Sequence, residues 1–154
     1  FENFMERFKQ ANEKLGKKQF VVPYFQCAHP GVGPRQCIEL ARYMKRTGLR
    51  PRQVQMFLPT PATLATAAYL SGEDPLTHEK IYVARGDKER SRQHALLFFW
   101  KQEQWPHVRE ALNAWGYSDL IGHHQDALVP PGPSYGKWAR KRSAKGRPQG
   151  RAAR

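Results

Sequence analysis

Apolar positions along the first fifty-eight residues fall into four successive segments. Phe1, Phe4, Met5, Phe8, Ala11 and Leu15 recur at spacings of three and four among charged and amide residues, which predicts a one-sided amphipathic helix stopping near Gly16. Phe20 to Cys27 is apolar at nearly every position and predicts a buried strand, with Pro23 marking an edge, a bulge or a strand start at Tyr24. Cys37, Leu40, Ala41 and Met44 then form the stripe of a second helix. Pro34 suits its first position and Gly48 its end, and Arg35, Glu39, Arg42, Lys45 and Arg46 lie mainly off the stripe. A second strand is predicted from about Gln53 to Leu58, stopped by Pro59 and Pro61. Two buried strands joined by one amphipathic helix make a parallel βαβ crossover. A two-stranded sheet is not stable alone. The expectation is therefore that this chain is part of something larger, in keeping with a start at Phe1 and not Met.

The remaining pattern is mostly helical. Ala62 to Leu70 is a helical run of small residues, and Ser71-Gly72-Glu73-Asp74-Pro75 is a strong turn that serves as the first domain boundary. Lys80 to Ala84 reads as a short strand. A helix is predicted from Asp87 through Trp100, and Trp105-Pro106 opens another with Val108, Ala111, Leu112 and Trp115 on one face. Together these two make a helical hairpin with an aromatic core. From Pro131 the sequence becomes Pro, Gly, Ser and basic residues without an apolar stripe, and it is expected to be disordered.

Charge sharpens this division. The net charge is +13, and eight positive residues with no acids fall between Pro131 and Arg154. Within that tail Lys137, Trp138, Arg140, Lys141 and Arg142 combine a stacking ring with phosphate-seeking charge. Those are the ingredients of sequence-tolerant nucleic-acid binding. Nearer the middle, Asp87, Lys88, Glu89, Arg90 and Arg92 read as a solvated helix face, with Lys88, Arg90 and Arg92 as an alternative polyanion surface.

Other chemistries find little support. Cys27 and Cys37 are the two cysteines, and C-x9-C matches neither a disulfide framework nor a common zinc or iron–sulfur spacing, so both read as buried thiols. His123, His124 and Asp126, with His107, are the nearest approach to a metal cluster, but they read as a solvated loop. His78 and His94 are isolated. There is no H-E-x-x-H, G-x-S-x-G or P-loop, and Gly31-x-Gly33 lacks the third glycine of a dinucleotide fingerprint. No apolar run nears the ~20 residues of a membrane span and no secretory signal is present, so the expected setting is cytoplasmic, away from any membrane.

An ordered set of short motifs resembles a known family. It runs Pro23-Tyr24-Phe25, His29-Pro30-Gly31, Leu40-Ala41 with Lys45 and Gly48, then Gln53-Val54-Gln55-x-Phe57-x-Pro59-Thr60-Pro61. Ala65-Thr66, Tyr69, Gly72, Pro75, Gly86-Asp87-Lys88, Ala95-Leu96-Leu97, Trp105-Pro106, Arg109-Glu110-Ala111-Leu112 and Asp119-Leu120-Ile121-Gly122 follow. The resemblance is to the C-terminal part of YgiQ-type radical SAM proteins and covers residues 1 to about 130. It implies an α/β fold in which residues 1–75 are the last βα units of a partial (βα) radical SAM barrel. Residues 76–130 would then be a small helical accessory region and 131–154 a disordered basic tail.

It further implies S-adenosylmethionine and a [4Fe–4S] cluster in the parent protein. A CxxxCxxC loop in the N-terminal remainder of the same polypeptide, its expected partner, would hold that cluster. Ala28, His29, Pro30 and Gly31 resemble the barrel motif that lies against the adenosine part of the cofactor, and Met56 and Phe57 occupy the end of the final strand. Ligands of parallel α/β folds sit beyond the carboxyl ends of strands, which agrees. The parent is then a radical SAM enzyme, and this segment, without CxxxCxxC, is expected to bind no cofactor alone and to be inactive. The competing readings are a stand-alone nucleic-acid-binding module using the basic aromatic tail, and a protein–protein module using an exposed aromatic cluster at Phe98, Phe99 and Trp100.

Overall fold

A computed structural model describes residues 1–132. They form five α-helices and one two-stranded sheet in the order α1 (Glu2–Leu15), β1 (Phe25–Cys27), α2 (Pro34–Thr47), β2 (Val54–Met56), α3 (Leu64–Ser71), α4 (Asp87–Leu96) and α5 (Trp105–Ala114). Short 3-10 turns precede and follow α5. The two strands are parallel, with Phe25 opposite Val54, Gln26 opposite Gln55 and Cys27 opposite Met56. The βαβ crossover written in the sequence is therefore present.

The first strand is shorter than its apolar run. Only Phe25–Cys27 is paired. Phe20, Val22 and Tyr24 are 84%, 79% and 74% exposed, whereas Val21, Pro23 and Phe25 between them are half-buried. This alternation is strand-like, with one face on the protein and one face bare. Among the described residues no neighbouring strand bonds with this segment, and Pro23 supplies no N–H of its own. The second strand is likewise trimmed at both ends, although Phe57 N–H still donates to Cys27 C=O at 2.9 Å.

One core serves residues from Cys27 to Val129. Cys37, Ile38, Ala41 and Met44 of α2 pack with Leu96 of α4, Val108 and Leu112 of α5, and Leu120 and Val129 of the closing loop. Leu40, expected in the α2 stripe, is half-buried, and Ile38 takes the deeper place. Lys45 extends from α2 to the carbonyls of Gln125 and Ala127, tying the closing loop down.

Three further expectations are corrected. Lys80 to Ala84 is not a strand. Its backbone groups are satisfied singly: Ile81 N–H donates to Gly72 C=O, and Tyr82 C=O accepts from Gly31 N–H. The fourth helix ends at Leu96, because Leu97, Phe98 and Phe99 donate to carbonyls three residues back and tighten the chain into turns. Those turns aim Phe98 and Phe99 inward, so both are buried and do not form the exposed aromatic cluster.

Helix α1 contrasts with all of this. It ends at Gly16, as its pattern predicts, yet it buries no residue completely, and Phe1, Phe4 and Leu15 are exposed. A groove of about 780 Å³ runs between α1, the 16–21 segment and Tyr43 of α2.

Candidate functional site

The carboxyl ends of β1 and β2 lie side by side, and the sequence immediately beyond each makes one continuous feature. After Cys27 the chain turns through Ala28, His29, Pro30 and Gly31. Ala28 is left-handed at φ 59°, an unusual place for a side chain with a Cβ, and it is buried. Gly31 follows at φ 86°, where glycine alone is unstrained, and a Cβ built on it would meet nothing within 4 Å. The turn is therefore open to solvent at Gly31 and anchored at Ala28. Gly33 next allows a close approach: the Tyr82 ring would stand 3.3 Å from any Cβ there, and Gln36 Oε1 accepts the Gly33 N–H at 3.1 Å.

The His29 ring packs edge-on to Phe57, with centroids 5.2 Å apart. His29 Nδ1 lies 2.9 Å from Pro30 C=O. A carbonyl accepts, so Nδ1 carries the proton and Nε2 of the neutral ring is an acceptor. Phe57 in turn contacts Tyr69 of α3 at 5.7 Å. Met56 points the other way, toward the core, where its Sδ accepts from Cys27 Sγ at 3.5 Å. The two strand-end segments singled out in the sequence thus meet through His29 and Phe57, while Met56 is on the opposite side of the sheet.

Several residues that shape this site carry no sequence motif. Gln93 of α4 has no solvent exposure; its Oε1 accepts Ala28 N–H and its Nε2 donates to Val32 C=O, both at 2.9 Å. Arg90 donates to Phe57 C=O at 3.0 Å. Tyr82 accepts the Gly31 N–H at 2.8 Å. One signal for Gln93 was available. It stands three and four residues before Leu96 and Leu97, so it is an amide on the apolar face of its helix.

The charged first turns of α4 divide: Asp87 and Lys88 are exposed, as a solvated face requires, whereas Glu89, Arg90 and Arg92 are half-buried and internally bonded. Arg92 donates to Glu89 and to Glu110 of α5, each at 2.8 Å, and Trp115 Nε1 donates to Glu89 at 2.6 Å. Burial pushes the Glu89 carboxyl up, but hydrogen bonds from Arg92, Trp115 and Tyr82 outweigh it and leave it below the usual glutamate value. The Arg92 hydrogen bond likewise holds Glu110 low. With Arg90 and Arg92 committed to internal acceptors and Lys88 3.7 Å from Glu110, these three do not make a polyanion surface.

Cys27 and Cys37 are free and buried, as their sequence setting predicts. Burial pushes the Cys37 thiol up to about 12, with Cys27 nearby adding to it, and burial raises Cys27 as well. Both are protonated at neutral pH, and thiolate is the metal-binding form. Among the described residues no group of three His, Cys, Asp or Glu converges on a metal position. His123, His124 and Asp126 are exposed, and His124 Nε2 is 2.8 Å from Asp119 C=O. Lys137, Trp138, Arg140, Lys141 and Arg142 lie outside the described residues. No helix among the described residues is long and apolar enough to cross a membrane.

Residues 52–154 match the family described as a domain of unknown function, DUF3362. Over 130 residues the chain is 42% identical to a UPF0313 protein of Clostridium botulinum (strain Okra / Type B1), an alignment covering 84% of this chain and 20% of that protein. It is 40% identical over 137 residues to a UPF0313 protein of Clostridium perfringens (strain ATCC 13124), covering 89% and 21%. A UPF0313 protein of Methanocella arvoryzae is 38% identical over 131 residues, covering 85% and 22%. The chain thus spans about a fifth of the length of these relatives. No solved structure matches it.

Proposed function

Because the chain belongs to the DUF3362 family and matches a C-terminal part of larger UPF0313 proteins, we propose that it closes a radical SAM barrel built mainly by preceding sequence. Residues 1–75 supply the last βα units of that barrel, and residues 76–130 form the accessory unit that backs them. The observation that carries this reading is the pair of parallel strands whose carboxyl ends meet at His29 and Phe57, while the Phe20–Tyr24 face and α1 stay uncovered. A parallel sheet is normally covered on both faces. Here the bare elements precede the crossover in sequence, and relatives about five times as long supply the material to cover them.

The residues fit the adenosine part of S-adenosylmethionine and do not fit the cluster. Gly31 leaves open space at the turn, and His29 Nε2 is an acceptor suited to an amine or hydroxyl donor. Phe57, 5% exposed, supports the His29 ring from behind more than it offers a face of its own. Ala28 and Pro30 fix the turn. Met56, on the core side, has a packing role. Two buried, protonated thiols cannot supply the three thiolates of a [4Fe–4S] site, so the cluster ligands belong to the preceding sequence. The cluster and the sulfonium cofactor together supply one-electron chemistry; this segment binds, orients and excludes water.

The test is S-adenosylmethionine titration of the full-length protein after anaerobic reconstitution with iron and sulfide. The wild-type protein is expected to bind it, and His29→Ala to bind about tenfold more weakly, the scale of one lost buried hydrogen bond plus packing. A reconstituted protein that takes up the cluster but shows no affinity for S-adenosylmethionine contradicts the proposal, as does indifference to His29→Ala.

A further inference from the structure

The turn that ends β1 is held from outside its own βα unit. Three backbone groups fix it: Ala28 N–H, Gly31 N–H and Val32 C=O. All three are satisfied by residues beyond the turn at 71–75. Tyr82 C=O takes the Gly31 N–H, and the amide of Gln93 takes the other two. Both partners fall within the stretch that matches DUF3362.

Gln93 suits the task by chemistry as well as place. Its amide presents one acceptor and one donor, uncharged, at the end of a side chain long enough to leave the helix. An apolar residue of the same size would fill the space and leave a buried N–H and a buried C=O unpaired. A left-handed Ala28 is a strained conformation that persists only where its surroundings enforce it, and Gln93 grips that residue directly.

We propose that α4 is a clamp that sets the shape of the strand-end turn, and that Gln93 is the positioning residue through which the accessory region controls adenosine recognition at His29-Pro30-Gly31. This rests on the barrel reading above. Gln93 does not touch the nucleoside; it acts through the backbone of residues 28–32.

Gln93→Glu separates this role from simple packing. A protonated carboxyl reproduces the native pair, with O–H donating to Val32 C=O and C=O accepting from Ala28 N–H. The ionised form has no donor and sets a negative oxygen against the Val32 carbonyl. Burial raises the carboxyl pKa, so protonation is reached in an accessible range. The ionisable groups around this turn include Cys27 of β1, His29 of the turn, Cys37 of α2, Tyr82 beside Gly33, and Glu89, Arg90, Arg92 and His94 of α4, the last held below the usual histidine value by burial. The same groups are present in the wild-type protein, so each comparison is made with wild type at the same pH.

In the full-length protein, Gln93→Leu is expected to bind S-adenosylmethionine about tenfold or more weakly at every pH. Gln93→Glu is expected to match that loss at about pH 8 and to recover to within about threefold of wild type near pH 5.5. Amide hydrogen exchange at Gly31 and Val32, measured on the same samples, is expected to follow the same recovery. If Gln93→Leu fails to fold, the Gln93→Glu comparison decides alone. Gln93→Glu that binds like wild type at both pH values, or that is equally weak at both, overturns the role of Gln93 while leaving the barrel reading standing. Wild-type protein without affinity for S-adenosylmethionine overturns both.

Discussion

The two ends of the sheet are built on opposite plans. At the carboxyl end, Ala28 N–H, Gly31 N–H and Val32 C=O of the turn are held by Gln93 and Tyr82 from later sequence, and Arg90 holds Phe57 C=O beside it. At the amino end, Phe20, Val22 and Tyr24 face solvent and α1 buries nothing completely. The first region is held by internal hydrogen bonds and a shared core. The second has an amphipathic helix and strand-like alternation, features that gain free energy only when another surface covers them.

The largest effect expected from breaking this contrast lies in the shared core. Leu112 is fully buried, so Leu112→Ala should lower the unfolding free energy by about 2–5 kcal/mol. A urea titration of the isolated chain reads this directly. A loss near zero would mean that the core does not hold together without the rest of the polypeptide.

An intermediate effect is expected at the α4–α5 ion network. Arg92→Met removes the donor shared by Glu89 and Glu110, and with Glu110 half-exposed the cost should be about 1–2 kcal/mol. Both carboxyls have folded-state pKa values below their unfolded ones. The unfolded chain therefore binds more protons as pH drops below about 4.3, and the stabilisation present above that value is lost as pH falls through the folded values. Wild type should weaken across that window, and Arg92→Met should weaken less steeply. Parallel pH profiles would contradict the assignment.

The smallest effect is expected on the open side. Phe4→Ala should change the stability of the isolated chain by no more than about 0.5 kcal/mol, because Phe4 is exposed there. The same substitution in the full-length protein should cost several times more. Equal and small losses in both would remove the case for a covering surface on α1.

The sequence made some of this legible and hid the rest for physical reasons. Two apolar runs around one striped helix sufficed for the parallel crossover, because both periods are local. Helix stops at Gly16 and Gly48 were equally local. Strand length was not, since Phe20 to Tyr24 carries the composition of a strand but no strand among the described residues pairs with it. Lys80 to Ala84 has strand-like composition too, yet its hydrogen bonds go to Gly72 and Gly31, contacts decided by tertiary packing. The His29–Phe57 meeting followed from the parallel topology. The Gln93 clamp did not, because a sequence shows an amide on an apolar face without showing which backbone groups it reaches.

The most direct measurement is amide hydrogen exchange across residues 20–27 in the isolated chain and in the full-length protein. Completion of the sheet by preceding sequence predicts rapid exchange at Phe20, Val21, Val22 and Tyr24 in the isolated chain and strong protection of alternate amides there in the full-length protein. Equally rapid exchange in both would mean that no strand pairs with this edge, and the barrel-closing account would be wrong.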